Sequence, residues 1–68
     1  MITINGQSQT DIQAGQTVAA VLERLELSVD ARGVAVAVDG EVIPRSAWTM
    51  FTLNEGARVE VLSAMQGG

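Results

Sequence analysis

The apolar positions of this chain fall into short patterned runs. Met1-Ile2-Thr3-Ile4-Asn5 alternates apolar and polar residues and is rich in β-branched side chains, which predicts a half-buried strand. Asn5-Gly6 follows, a dipeptide suited to a turn whose two central residues need positive φ. Gln7 to Ile12 reads as a polar strand at a sheet edge. Ile12 is one residue out of step with Ile4 for a strict two-residue turn, so a bulge or a longer loop is expected. Ala14-Gly15-Gln16 breaks this strand, and Thr17 is placed to cap a helix. Val18, Val21, Leu22 and Leu25 then sit at i, i+3, i+4 and i+7, one apolar stripe with Glu23, Arg24 and Glu26 turned to water. A helix this short needs packing against a sheet to persist.

Leu27 to Gly33 reads as a connection, irregular over Ser28 to Asp30. Val34-Ala35-Val36-Ala37-Val38 alternates bulky with small residues, which puts the three valines toward the core. Asp39-Gly40 is the strongest hairpin signal of the chain. A two-residue turn there pairs Val36 with Ile43 and sets Val42 beside Ala37 on the other face. Pro44 has no N–H to donate and ends the pairing. Trp48, Phe51 and Leu53 lie in a loop-rich stretch, and Asn54-Glu55-Gly56 is a turn. Arg58 to Ser63 is the last strand, with Val59 and Val61 on one face and Leu62 on the other. The order strand, strand, helix, strand, strand, strand predicts an α+β fold: a mixed sheet packed on one helix, with first and last strands adjacent at its centre. That is the β-grasp, or ubiquitin-like, arrangement.

Sixty-eight residues allow one domain. Residues 1–64 are assigned to the β-grasp and 65–68 to a flexible tail. With 47% of residues apolar and 18% charged, the chain has the makings of a folded globule. It has no cysteine, histidine, lysine or tyrosine. Disulfides, cysteine-ligated zinc and a thiol nucleophile are excluded, and general bases reduce to carboxylates and the Met1 amine. The net charge of -4, with arginine as the only cationic side chain, argues against a nucleic-acid partner. No apolar run nears the roughly 18 residues of a membrane span and no leader pattern opens the sequence, so no membrane partner and a cytoplasmic location are expected.

The sequence ends Ala64-Met65-Gln66-Gly67-Gly68. Two glycines at a free end have no side chain to give to a core and maximal backbone freedom. Fraying, chance or an expression remnant explains such an ending by itself. The ending acquires a use if the terminus is a substrate. An α-carboxylate is ionised at neutral pH and is a poor electrophile. To accept sulfur it must first be activated, for instance as an acyl-adenylate, inside another protein's ATP site. A strand without Cβ atoms fits a narrow channel there. Absence of lysine and cysteine also removes groups that would attack an activated terminus, although a preference for arginine accounts for the missing lysine equally well.

Several stretches resemble the ThiS family, the sulfur carriers of thiamine thiazole biosynthesis. Ala14-Gly15-Gln16-Thr17-Val18 with Val21-Leu22 is similar to that family's loop and helix start. Val36 to Arg45 followed by Trp48 is similar to its strand–turn–strand and "VPR…W" segment. Glu55-Gly56-Ala57-Arg58-Val59-Glu60-Val61 is similar to its turn into the last strand, with Ala57 where Asp is common, and Gly67-Gly68 to its ending. The resemblance implies that Gly68 is the covalent site. An E1-like, ThiF-type adenylyltransferase would activate it with ATP and magnesium, and a persulfide enzyme would convert it to a thiocarboxylate. A ThiG-type thiazole synthase would receive the sulfur. The carrier itself would be no enzyme and would bind no cofactor or metal. Gly67, Gln66 and Met65 form the tail that enters the partner. A MoaD-like small subunit of molybdopterin synthase, a ubiquitin-like protein modifier and a non-covalent β-grasp binding module are the alternatives.

Ala35, Ala37, Val42 and Leu62 fall on the sheet face away from the helix and are the candidate partner surface, with Met65 guiding the tail. An acidic chain suits a more basic partner surface. Trp48 is either a partner anchor or, as preferred, a cap on the core under the Pro44 loop. Asp39, Glu55 and Glu60 lack the spacing of a calcium loop, and a metal site on them is rejected.

Overall fold

The computed structural model describes residues 1–27 and 33–63. The expected irregular run at residues 28–30, the domain limit at 64 and the tail 65–68 lie outside the described residues. Five strands and one helix follow the order β1 (Ile2–Ile4), β2 (Gln7–Gln9), α1 (Val18–Arg24), β3 (Val34–Val38), β4 (Glu41–Ile43) and β5 (Arg58–Ser63). The sheet runs β2-β1-β5-β3-β4. β1 and β5 are parallel, and every other pair is antiparallel. The expected β-grasp, with first and last strands adjacent at its centre, is the observed fold.

One face of the sheet is sealed by α1. Val18, Val21 and Leu22 of the predicted stripe are buried together with Ala19, against Ile2, Ile4, Val34, Val36, Val38, Ile43 and Val59. Leu25, the last residue of the stripe, lies just past the helix at its rim and is 36% exposed. The helix has seven residues, too few to stand alone. The N–H groups of Val18, Ala19 and Ala20, orphaned at any helix start, all have partners here. Val18 donates to Phe51 C=O, Ala19 to Trp48 C=O and Ala20 to the Thr17 hydroxyl, and Val21 N–H to Thr17 C=O is the first bond of the helix itself. Thr17 is thus the expected N-cap, and the loop from Trp48 to Leu53 completes what it leaves. At the other end Leu27 N–H reaches Leu22 C=O and Glu26 N–H reaches Glu23 C=O. This double closure is a Schellman motif, with Glu26 at φ 62° where glycine is usual.

Two features differ from expectation. The first hairpin has no bulge and no lengthened loop: Ile4 pairs with Gln7 across a strict two-residue turn. Asn5 and Gly6 both hold positive φ, 51° and 85°, the turn whose twist matches that of paired strands. β2 stops at Gln9, so Ile12 does not belong to it. The chain bends at Thr10 and Asp11 and delivers Ile12 to the core from the loop. Second, the stretch after Pro44 contains a 3₁₀ turn, Arg45–Ala47. It swings Trp48 under the sheet, where the indole N–H donates to Ile43 C=O at 2.9 Å.

Candidate functional site

β5 is the central strand of the sheet, and residues 64–68 follow it in sequence. Gly68 is the fifth residue after Ser63, and five residues reach at most about 17 Å when extended. The position and direction of β5 therefore limit where Gly68 can lie. β3 pairs with β5 along its whole length, from Val38↔Val59 to Val34↔Ser63. β1 supports only its first half, through Thr3 N–H to Ala57 C=O at 3.1 Å and Asn5 N–H to Val59 C=O at 2.8 Å.

Two turn residues extend these ladders with their side chains. The Asp39 carboxylate accepts from Arg58 N–H at 2.9 Å, at the start of β5. The Asn5 carboxamide takes both polar groups of Val61: its oxygen accepts from Val61 N–H at 2.9 Å, and its nitrogen donates to Val61 C=O at 3.2 Å. Sequence reading assigned both residues to turns and missed these bonds. The only hint was their identity, since both carry a short polar group able to reach a neighbouring backbone.

The sheet face away from α1 carries the candidate partner surface. Val42 and Leu62 are 71% and 68% exposed, Ala35 is exposed and Ala37 half-buried. Ala35 lies directly opposite Leu62, and Ala37 directly opposite Val42. Cross-strand pairs of this kind are in side-chain contact range, so the four residues form one apolar patch. Glu60, opposite Ala37, puts a carboxylate within it. Met65, Gln66, Gly67 and Gly68 lie outside the described residues.

Trp48 is only 2% exposed, so it belongs to the core and no partner can use it as an anchor. The Arg45 guanidinium lies over its ring, 4.8 Å from the centroid. The carboxylates considered for a metal are dispersed. Asp39 is engaged with Arg58 N–H, Glu55 with the Met1 amino group, and Glu60 is exposed. Among the described residues no three histidine, cysteine or acidic side chains come together to hold a metal ion. Asp11, on the loop before α1, accepts from Arg24 at 2.8 Å, and this bond holds its carboxyl below the usual range. No helix among the described residues is long and apolar enough to cross a membrane.

Comparison with known proteins agrees with this architecture. The chain is 36% identical over 67 residues to a thiazole synthase of Paramagnetospirillum magneticum, covering 98% of this chain but 20% of that protein. It thus spans about a fifth of the length of that relative. It is 31% identical over 55 residues to the sulfur carrier protein ThiS of Escherichia coli K12, covering 81% of this chain and 80% of that protein. Two structures of a ThiS thiamine biosynthesis protein from Geobacter metallireducens, 35% identical, superimpose on 98% of this chain. The crystal structure has a TM-score of 0.76 with 97% of its chain covered, and the solution structure 0.78 with 86%. The ThiS family pattern matches residues 1–68. With the β-grasp fold in place and the motifs from Gln16-Thr17 to Gly67-Gly68 accounted for, the chain belongs to the ThiS family.

Proposed function

We propose that this chain is a sulfur carrier of thiamine thiazole synthesis and that Gly68 is its covalent site. A carboxylate oxygen of Gly68 attacks the α-phosphorus of ATP in an E1-like, ThiF-type enzyme, and pyrophosphate leaves. Sulfur from a persulfide enzyme then displaces AMP at the acyl carbon. Reductive release by a thiol leaves the thiocarboxylate, which a ThiG-type thiazole synthase consumes. ATP and magnesium belong to the activating partner, and the carrier contributes a reactive end on a stable base. The observation that carries this reading is the ThiS family match through residue 68, with the side-chain-free Gly67 and Gly68 four and five residues beyond the central strand of the β-grasp. A thiazole synthase, a ThiS sulfur carrier and a thiamine biosynthesis protein among the similar proteins favour the thiazole pathway over molybdopterin synthesis.

The docking surface in this proposal is the open-face patch of Ala35, Ala37, Val42 and Leu62, with Met65, Gln66 and Gly67 threading the tail. Incubation with ATP, an activating enzyme and a sulfur source, followed by intact-mass measurement, tests the covalent step. One oxygen of the C-terminal peptide is replaced by sulfur, and a chain lacking Gly68 is not converted. If the unaltered chain keeps both oxygens while a known carrier is converted alongside it, the reading is wrong. For the surface, Val42→Asp puts a charge into an apolar contact and lowers adenylation by roughly tenfold or more without unfolding the domain. Normal adenylation of a folded Val42→Asp chain removes this face as the dock.

A further inference from the structure

We propose that Asn5 is a positioning residue for the tail, acting through Val61; the inference rests on the carrier reading above. β1 turns away at Asn5-Gly6 while β5 continues to Ser63. Beyond Val59 the lane beside β5 is thus vacated by backbone. Along a β-strand the N–H and C=O of one residue point the same way, and the direction alternates from residue to residue. Ala57 and Val59 face β1, as their bonds from Thr3 and Asn5 show, so Val61 faces the vacated lane. The Asn5 carboxamide fills that lane, meeting both groups of Val61 as a further strand residue would.

The consequence concerns the exit of the chain. With Asn5 in place, β5 is held from both sides through Val61, the residue next to Leu62 of the docking patch and seven before Gly68. The tail therefore departs from a fixed point relative to that patch. Without the carboxamide, Val61 to Ser63 are held from β3 alone, and the tether that must be ordered on threading grows. Ordering an extra residue weakens productive binding by about fivefold or more. Chemistry at Gly68 is unaffected once the tail is seated, so the effect appears in KM and not in kcat.

Asn5→Gly is the discriminating variant, because glycine accepts the positive φ of this turn and removes only the side-chain bonds. Thr17→Ala is the control: it loses a helix cap of similar worth on a different element. In Asn5→Gly the Val61 amide exchanges about tenfold faster, relative to the Val36 amide, than in the unaltered chain. The KM of the activating enzyme for the carrier rises about fivefold with kcat within about twofold, and Thr17→Ala leaves KM unchanged. Asn5→Asp keeps an acceptor for Val61 N–H, loses the donor to Val61 C=O and falls between. Unchanged Val61 exchange, an unchanged KM in both Asn5 variants, or an equal KM rise in Thr17→Ala overturns the proposal. If the unaltered chain is not adenylated, the carrier reading falls, and the exchange rates at Val61, which need no partner, still decide the clamp.

Discussion

The two hairpins of the sheet have the same turn and different strands. Asn5-Gly6 and Asp39-Gly40 are two-residue turns with φ of 51° and 85° in the first and 52° and 86° in the second. Both first residues reach β5 with their side chains, Asp39 at Arg58 and Asn5 at Val61. The second hairpin supplies Val34, Val36, Val38 and Ile43 to the core. The first supplies Ile2 and Ile4 from β1, while its outer strand is Gln7-Ser8-Gln9. Turn chemistry alone is therefore enough to set a register, even where the outer strand buries no apolar side chain. It also follows that the first hairpin serves the last strand more than it serves β2.

The largest expected difference lies in the outer strands. Ile43 lies opposite Val36 and is 5% exposed, whereas Gln9 occupies the corresponding place opposite Ile2. Ile43→Ala removes a buried branched side chain and lowers stability by about 3 kcal/mol, out of the roughly 3–10 kcal/mol available to a domain of this size. Gln9→Ala changes it by less than about 0.5 kcal/mol. Denaturant unfolding of the two variants side by side measures this, and a comparable loss in both would mean that β2 contributes to the core after all. Next comes the turn itself. Asp39→Gly keeps the backbone conformation and strips the acceptor from Arg58 N–H, a loss of about 1 kcal/mol. Asp39→Asn retains an acceptor oxygen and stays close to wild type.

Why one hairpin could be read correctly from the sequence and the other could not follows from the same contrast. At Asp39-Gly40 the bulky positions on both strands agree with a two-residue turn, so pattern and turn chemistry pointed to one register. At Asn5-Gly6 the only apolar residue downstream, Ile12, disagreed with the turn and suggested a bulge. A residue's parity tells its face only while the strand continues, and β2 ends before Ile12. The capping of α1 by Phe51 and Trp48 carbonyls left no trace either, since backbone groups are the same in every residue. The open-face patch was legible because strand alternation assigns it once the helix side is known. Gly68 lies outside the described residues, and its covalent role rests on the carrier proposal. The Asn5 bond joins residues 56 apart in sequence, and nothing local announces it.

A third residue sharpens the comparison between turns. Among the described residues the non-glycine positions at positive φ are Asn5, Asp39 and Glu26. The first two use the left-handed backbone to aim a short polar group at β5. Glu26 carries a longer side chain at the C-terminal cap of α1, where the backbone bonds of the cap do the work. A left-handed conformation costs about 1 kcal/mol for an ordinary side chain and little for glycine. Glu26→Gly therefore raises stability by up to about 1 kcal/mol, read as an upward shift of the thermal midpoint. The same exchange at Asp39 lowers it, although all three positions share the sign of φ.

The smallest expected effect concerns the loop by which the first hairpin departs. Asp11 ties that loop to α1 through Arg24, with both side chains largely exposed. The bond from Arg24 favours the ionised carboxylate and lowers its pKa in the folded chain. A carboxyl group shifted downward adds stability above its unfolded pKa, and the contribution is lost as pH falls through the folded value. Asp11→Asn is thus slightly less stable than wild type at neutral pH, and the two converge as the solution is taken to and below the ordinary carboxylate range. Added salt narrows the gap at neutral pH by screening an exposed pair. A difference that persists in strong acid would assign Asp11 a packing role in delivering Ile12 to the core, instead of an electrostatic one.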